Sequence, residues 1–302
     1  SRQSSLPRHL ADLVRPEVEL VHGDLLEPAS FRAHLRGLDG IYHLAGYIAT
    51  ARSEARRVHD LNYTVTHNLL QELQATPVPR MVYLASIFAL AGGGKTPVNE
   101  DTPYNLAGNP VGYFQAKRQA ELEVRAAAKD MDIVFTYPCF CYGPGDALIS
   151  SSRLLLMHLR GQLPVYFSGG LNSMDVRDAA AALILSMHKG QAGRRYLAGG
   201  VNQTYKEFFA AAAQVTGLAP PRVQVPDAVL PVAGKLGEWL APSLGLDSQA
   251  VWMAQRYWYY DDTRARQELG HTSRPLQETL TDATQWFVDY GFCKAPPALR
   301  KR

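Results

Sequence analysis

The stretch Arg80-Met81-Val82-Tyr83-Leu84-Ala85-Ser86 decides the fold class of this chain. Its unbroken apolar run, bounded by a charged residue and a serine, is typical of a short strand that is buried on both faces. Comparable runs lie at residues 18–21, 40–45, 133–137 and 195–198. They predict several strands of the same kind.

Helical patterns lie between these runs. Residues 61–73 place Leu61, Val65 and Leu69 at helical spacing, and residues 113–128 repeat the pattern. Strands that alternate with helices predict an α/β fold with a parallel sheet, in which the helices are the crossover connections.

The composition indicates a globular protein. The chain has 302 residues, of which 46% are apolar and 20% charged, a balance that excludes disorder, collagen and coiled coil. The net charge of +3 is spread along the chain, which disfavours nucleic acid as a partner. No run reaches the roughly 18–20 apolar residues that span a bilayer, so we expect no membrane partner. The basic residues at 299–302 are interpreted as a solvated tail.

Three cysteines, Cys139, Cys141 and Cys293, are too few and too unevenly placed for a disulfide framework. They favour a reducing, cytoplasmic location. No second Cys/His pair completes a zinc site around Cys139 and Cys141, so we expect structural thiols and no metal.

The pattern changes after Gly143-Pro144-Gly145-Asp146, where helices and loops rich in Pro and Gly predominate. This change predicts a smaller, mostly helical lobe formed by residues 148–167 and 201–302, whereas residues 168–200 return to the first domain, 1–147. An amphipathic segment at 229–240 and an aromatic cluster at 252–260 belong to the lobe. We expect the aromatics to pack in its core, with a carbohydrate or lipid platform as the alternative.

Tyr113 and Lys117 are the most informative pair, because residues four apart on a helix project from one face. A free phenol titrates near about 10, and a nearby ammonium favours the phenolate, so the pair could transfer protons. Ser86 directly follows a predicted strand, at the sheet edge where ligands gather, and Pro138 ends the next strand. The alternatives are a surface tyrosine with a solvated lysine, and a serine that caps a helix.

Several motifs, taken together and in order, resemble the extended short-chain dehydrogenase/reductase superfamily, within its dihydroflavonol reductase-like and sugar-nucleotide epimerase-like branch. They are Gly23-Asp24-Leu25, His43-Leu44-Ala45-Gly46, Asn62 with Asn68-Leu69-Leu70, Val82-Tyr83-Leu84-Ala85-Ser86, Tyr113-Phe114-Gln115-Ala116-Lys117, and Tyr137-Pro138 with Gly143-Pro144-Gly145. Further matches at residues 175–179, 195–200 and 265–270 extend the resemblance over about residues 18–292. The resemblance implies a Rossmann-type, doubly wound parallel sheet with a substrate lobe.

The resemblance also implies a Ser/Tyr/Lys site. Tyr113 would be the general acid/base, Lys117 would hold the nicotinamide ribose and lower the pKa of the tyrosine, and Ser86 would bind the reacting oxygen. The implied residues for the cofactor, NADP or NAD, are Asp24 and Leu25 at the adenine, Leu44, Ala45 and Gly46 at the adenosine and pyrophosphate, Asn62 in support, Leu84, Tyr113 and Lys117, and Pro138 at the nicotinamide. An Arg with hydroxyls at residues 1–5 favours NADP. Helices at 63–73 and 113–128 imply a homodimer.

One family element is missing from the sequence. Members begin with a strand, a glycine-rich turn and a helix that hold the pyrophosphate, yet no glycine precedes Gly23. We therefore expect that the chain starts inside a domain. Without its first two strands, a sheet of order 3-2-1-4-5-6 would leave residues 18–21 unpaired and residues 40–45 exposed. The cluster Gly92-Gly93-Gly94-Lys95-Thr96 lacks the spacing of a phosphate-binding loop.

Three functions fit these observations. The first is an NAD(P)-dependent oxidoreductase that acts on a small-molecule carbonyl or secondary alcohol. The second is a sugar-nucleotide epimerase or dehydratase with bound NAD, for which Arg153, Arg160, Arg177 and Arg222 are candidates to bind a diphosphate. The third is a non-catalytic binding protein on the same fold, which the retained Ser/Tyr/Lys set argues against.

Overall fold

The computed structural model describes residues 17–49, 51–230 and 248–300. The cofactor loop expected at residues 1–5, most of the amphipathic segment 229–240 and the end of the basic tail lie outside these residues.

The strands of the described residues are β1 Ile41–His43, β2 Met81–Leu84, β3 Ile133–Pro138, β4 Phe140–Tyr142, β5 Val165–Tyr166, β6 Gly170–Asp175, β7 Arg195–Ala198, β8 Val201–Thr204, β9 Val223–Gln224 and β10 Tyr257–Trp258. The α-helices are α1 Ala55–His59, α2 Val65–Ala75, α3 Ile87–Leu90, α4 Gly112–Ala127, α5 Arg153–Leu159, α6 Val176–Lys189, α7 Tyr205–Thr216, α8 Ser248–Ala254 and α9 Leu276–Asp289. Single π-helical turns span Asp60–Thr64 and Ala265–Leu269, and short 3₁₀ turns span Pro28–Ser30, Arg32–Leu35 and Arg52–Glu54.

The main sheet is parallel and has the order β1-β2-β3-β7. Successive residues of its central strands point to opposite faces of the sheet. Met81 packs in the large first hydrophobic cluster, and Val82 packs in a small third cluster. Helices cover both faces, since α2 and α4 pack together and α6 contacts β2 and β3. The expected α/β, Rossmann-type fold is confirmed.

The strand expected at residues 18–21 is absent, and this prediction was wrong. Val18 and Leu20 are each 50% exposed in extended coil. A strand needs a neighbour to accept its backbone hydrogen bonds, and within the described residues no strand lies beside this segment. β1 is accordingly an edge of the main sheet, with Tyr42 40% exposed.

A second hydrophobic cluster lies among α5, α7 and α9. It adjoins a smaller sheet of order β10-β6-β4, in which β8 pairs antiparallel with β6, and a separate pair joins β5 to β9. The expected division into a first domain and a lobe stays a prediction.

The aromatic cluster does not pack where the sequence predicted. Trp258 and Tyr260 are buried in the first cluster, not in the core of the helical lobe. The Trp258 ring centroid lies 5.0 Å from that of Phe88 and 5.7 Å from that of Phe114. β10 therefore brings Trp258, which is distant in sequence from Phe88 and Phe114, into the first hydrophobic cluster.

The described part of the chain has no helix that combines the length and apolar character needed to cross a membrane. Within those same residues, no group of three or more His, Cys, Asp or Glu side chains could hold a metal ion. The three cysteines are free. Burial raises the pKa of the Cys141 thiol to about 12, which keeps it protonated near neutrality.

Candidate active site

Three chain segments meet at the carboxyl edge of the main sheet. Because β1, β2 and β3 are parallel neighbours, the residues that follow them lie at the same edge. These residues are the exposed loop 44–46 after β1, Ser86 after β2, and Pro138 at the end of β3.

Ser86 is the N-cap of α3. Its backbone is extended and its Oγ accepts a hydrogen bond from the Phe88 amide at 3.3 Å. The side chain is buried. Ser86 therefore caps a helix, as the alternative interpretation of the sequence predicted. This hydrogen bond also fixes the position of its hydroxyl at the carboxyl edge of the sheet.

Tyr113 lies in the first turn of α4, and its ring meets that of Phe88 edge-on at 6.2 Å. Burial raises the pKa of its phenol to about 12, while the Ser86 side chain acts in the lowering direction. The sequence assigned this lowering to Lys117. In the structure the neighbour that favours the phenolate is Ser86.

Lys117 reaches the end of β2 from α4. Its Nζ donates a hydrogen bond to the Leu84 carbonyl at 3.1 Å and lies 5.2 Å from the centroid of the Tyr83 ring. Burial lowers the pKa of the ammonium to about 8. Two residues assigned to the cofactor, Leu84 and Lys117, are therefore in direct contact.

His43 lies behind Lys117, and the sequence analysis did not identify it as a site residue. Its ring stacks on Tyr83 at 5.7 Å, and its Nε2 pairs with the Thr66 hydroxyl at 2.9 Å. Burial, and secondly the charge of Lys117, lower the pKa of His43 to about 3, so the imidazole is neutral near pH 7. Its place in the motif His43-Leu44-Ala45-Gly46, within the predicted strand 40–45, was the available signal.

Asn62 supports the loop after β1. It is buried within the π-helical turn, and its Nδ2 donates to the carbonyls of Tyr47 at 2.8 Å and Val58 at 2.7 Å. Its Oδ1 accepts from the Tyr47 amide at 3.2 Å. A Cβ on Gly46 would lie 3.1 Å from that oxygen. Asn62 thereby sets the course of residues 44–48.

Asp24 and Leu25 lie in and beside a turn that contacts α2. The Asp24 carboxylate accepts from the Leu26 amide at 2.9 Å, and Asn68 on α2 donates to the Leu25 carbonyl at 2.9 Å. The Asp24 side chain is exposed. The turn is thus anchored to α2, and nothing covers its carboxylate among the described residues.

The residues at the sheet edge fit the nicotinamide-ribose end of a dinucleotide. An ammonium has three N–H donors, and the buried Lys117 uses one of them on Leu84, so it can bind a ribose diol. The pyrophosphate end differs: within residues 17–49, 51–230 and 248–300, no glycine-rich turn leads into a helix beside β1.

Two of the four arginines proposed for a diphosphate have other partners. Arg177 pairs with Asp175 at 2.7 Å and with Asp282 at 2.8 Å, and Arg160 donates to the Phe292 carbonyl at 2.9 Å. Arg177 thus links β6 to α9, and Arg160 links the end of α5 to the segment after α9.

Comparisons with known proteins identify the family to which this α/β fold belongs. A family model described as the NAD dependent epimerase/dehydratase family matches residues 1–199. A "Putative dihydroflavonol 4-reductase" of Synechocystis sp. (strain ATCC 27184 / PCC 6803 / Kazusa) is 30% identical over 97% of this chain and 88% of its own length.

Solved structures of other proteins have a similar fold. That of gox2253 has a TM-score of 0.82 and 26% identity, over 94% of this chain and 88% of that one. PA4631, a nucleoside-diphosphate-sugar epimerase from Pseudomonas aeruginosa, has a TM-score of 0.75 and 23% identity, over 93% and 89% of the two chains. The chain belongs to the NAD dependent epimerase/dehydratase family, of the extended short-chain dehydrogenase/reductase type, as its motifs predicted.

Proposed function

We propose that this chain is an NAD(P)-dependent oxidoreductase that interconverts a carbonyl group and a secondary alcohol. The observation that carries the proposal is the buried Lys117 ammonium at the carboxyl edge of β2, next to the strand end that bears Ser86. Tyr113, four residues earlier on the same helix, completes the set. The NADP preference expected from residues 1–5 belongs to this proposal.

The nicotinamide, when bound, supplies the hydride in reduction or accepts it in oxidation. In reduction, Tyr113 Oη gives its proton to the carbonyl oxygen as the alcohol forms, and in oxidation it takes that proton back. Ser86 Oγ donates a hydrogen bond to the same oxygen. Lys117 binds the ribose hydroxyls through its spare N–H groups, and Pro138 forms the wall at the end of β3.

The arginine contacts favour this function over a sugar-nucleotide epimerase or dehydratase. Arg177 and Arg160 are occupied by Asp175, Asp282 and the Phe292 carbonyl, so they offer little to a diphosphate. A less polar carbonyl substrate needs no such charges.

The chain is proposed to form a homodimer through α2 and α4. Leu122 on α4 is 49% exposed, which leaves an apolar side chain for a partner copy. Light scattering on the purified protein tests the dimer. The cytoplasmic location stays a prediction.

The experiment is a turnover assay with NADPH or NADH and a panel of aromatic and aliphatic ketones, followed by loss of nicotinamide absorbance. Tyr113→Phe should lower the rate by about 10²- to 10⁴-fold and leave dinucleotide binding, measured by calorimetry, within a few-fold of wild type. Tyr166→Phe, which alters a phenol in β5, is the matched control. Tyr113→Phe with wild-type turnover would overturn the assignment, as would failure of the folded wild-type chain to bind either dinucleotide.

A further inference from the structure

The cluster of three glycines at residues 92–94 forms one wall of a cavity of about 500 Å³, within the range of small-molecule sites. Trp252 and Arg256 line the same cavity. Ser86, Tyr113 and Lys117 are not among the residues that line this cavity, so it is distinct from the set assigned to hydride transfer.

The three positions differ in how strongly the structure requires glycine. A Cβ on Gly92 would lie 2.7 Å from Trp258, so only glycine fits there, and Gly93 has a φ of +96°, where glycine is favoured. Gly94 meets neither condition, because nothing lies within 4 Å of the position of its Cβ. A side chain at residue 94 would extend into open space along the cavity wall.

Arg256 is the charged group of the cavity. Its guanidinium lies 3.6 Å from the Trp252 ring centroid, and its Nη1 donates to the Trp252 carbonyl at 2.7 Å. Burial lowers the pKa of this guanidinium, and among the described residues no carboxylate offsets the burial. A partly buried arginine that has donors to spare and no carboxylate partner in the part of the chain that the structure describes is a ready partner for an anion.

The lining limits the charge and shape of that anion. None of the described residues that line the cavity is acidic, and Arg256 is the one cation among them, so the lining carries a single positive charge. Asn105 uses its amide on the backbone of Gly92, at 3.0 Å in both directions, and so fixes the glycine wall. A guanidinium can form a bidentate pair with a carboxylate or with a phosphate, but its single positive charge is balanced by one carboxylate and not by a phosphate dianion.

We propose that this cavity binds a small organic monocarboxylate through Arg256, with the ligand's apolar part against the glycine wall. The inference goes beyond the proposed function, since it requires neither dinucleotide nor turnover. The site is close to the catalytic segment: Trp252 contacts Phe114, the residue after Tyr113, at 6.0 Å between ring centroids.

The test is isothermal calorimetry on the full chain without dinucleotide. Benzoate should bind, and benzamide, which has nearly the same shape but no charge, should bind at least about 10-fold more weakly. Arg256→Gln should lower the affinity for benzoate by about 10- to 100-fold. Arg36→Gln, which removes an exposed arginine outside the cavity, should not change it.

A second variant guards against a folding defect in Arg256→Gln. Gly94→Leu adds an apolar side chain at the cavity wall, where no atom lies within 4 Å of the Cβ position, and leaves Arg256 in place, so it should retain the thermal stability of wild type and weaken benzoate binding. Wild-type affinity in either variant would overturn the proposal. Absence of benzoate binding to the wild-type chain, or equal binding of benzamide or inorganic phosphate, would also overturn it. None of these results depends on turnover, so they are independent of the oxidoreductase test.

Discussion

At the scale of single residues, the site combines two opposite effects of burial. Burial raises the pKa of the Tyr113 phenol and lowers that of the Lys117 ammonium, because a low-dielectric surrounding disfavours the charged form of each. The chain thus holds both groups closer to their neutral forms. A bound ligand that adds polar contacts at this edge would stabilise the charged form of each group. It would therefore lower the pKa of Tyr113 and raise the pKa of Lys117.

The buried amine of Lys117 predicts a pH dependence of stability. Its folded pKa is about 8, and an unfolded lysine titrates near about 10.4. Between these pH values the unfolded chain holds a proton that the folded chain has released. The stability of the wild type relative to Lys117→Met should therefore rise with pH across this window, by about 3 kcal/mol in full.

Urea unfolding of both proteins at a series of pH values measures this difference, and titrations common to both cancel. Lys95→Met, which removes an exposed amine, is the control for general effects of charge. A wild-type advantage that stays constant or falls between about pH 8 and 10 would contradict the assigned burial of Lys117.

At the scale of secondary-structure elements, the positions of β2, β3 and β7 and of α4 were predictable from the sequence within a residue or two. Each has an apolar pattern whose side chains pack against neighbouring elements. Residues 18–21 also have a strand-like pattern, interrupted by Glu19, but no described strand lies beside them, and they do not form a strand. Local pattern records a preference, and pairing decides whether the strand forms.

The π-helical turn was beyond this kind of prediction, and so were the contacts of Asn62, the buried residue within it. Asn62 makes three hydrogen bonds, two of them to the loop after β1. Helical spacing at residues 61–73 indicates only a helix. The same limit applied to Lys117, whose contact with the Leu84 carbonyl depends on how far α4 lies from β2.

We expect Asn62→Ala to destabilise the protein by about 2–3 kcal/mol, because it leaves buried backbone groups of Tyr47 and Val58 without partners. The Tyr47 amide should also exchange its hydrogen faster. Asn68→Ala removes a single hydrogen bond, to the Leu25 carbonyl, and should cost about 1 kcal/mol. Equal costs for the two variants would show that Asn62 does not anchor the loop.

At the scale of the whole molecule, β10 joins the first and the second hydrophobic clusters. The Trp258 side chain is fully buried in the first cluster, yet its backbone pairs with Leu171 of β6, which belongs to the second. The sequence showed an aromatic run and predicted that it packs in the lobe. Its true position depends on a contact more than a hundred residues away along the chain, with Phe114.

This arrangement predicts that the clusters unfold together. Trp258→Ala should cost about 3–5 kcal/mol, the usual loss for a large aromatic removed from a core. Because β10 contributes to both clusters, slow amide exchange should accelerate by similar factors at Phe135 in β3 and at Leu280 in α9. Trp286→Ala is the comparison, since that ring stacks on Tyr290 within the second cluster. Acceleration confined to Phe135 in Trp258→Ala would mean that the clusters open independently and that β10 does not couple them.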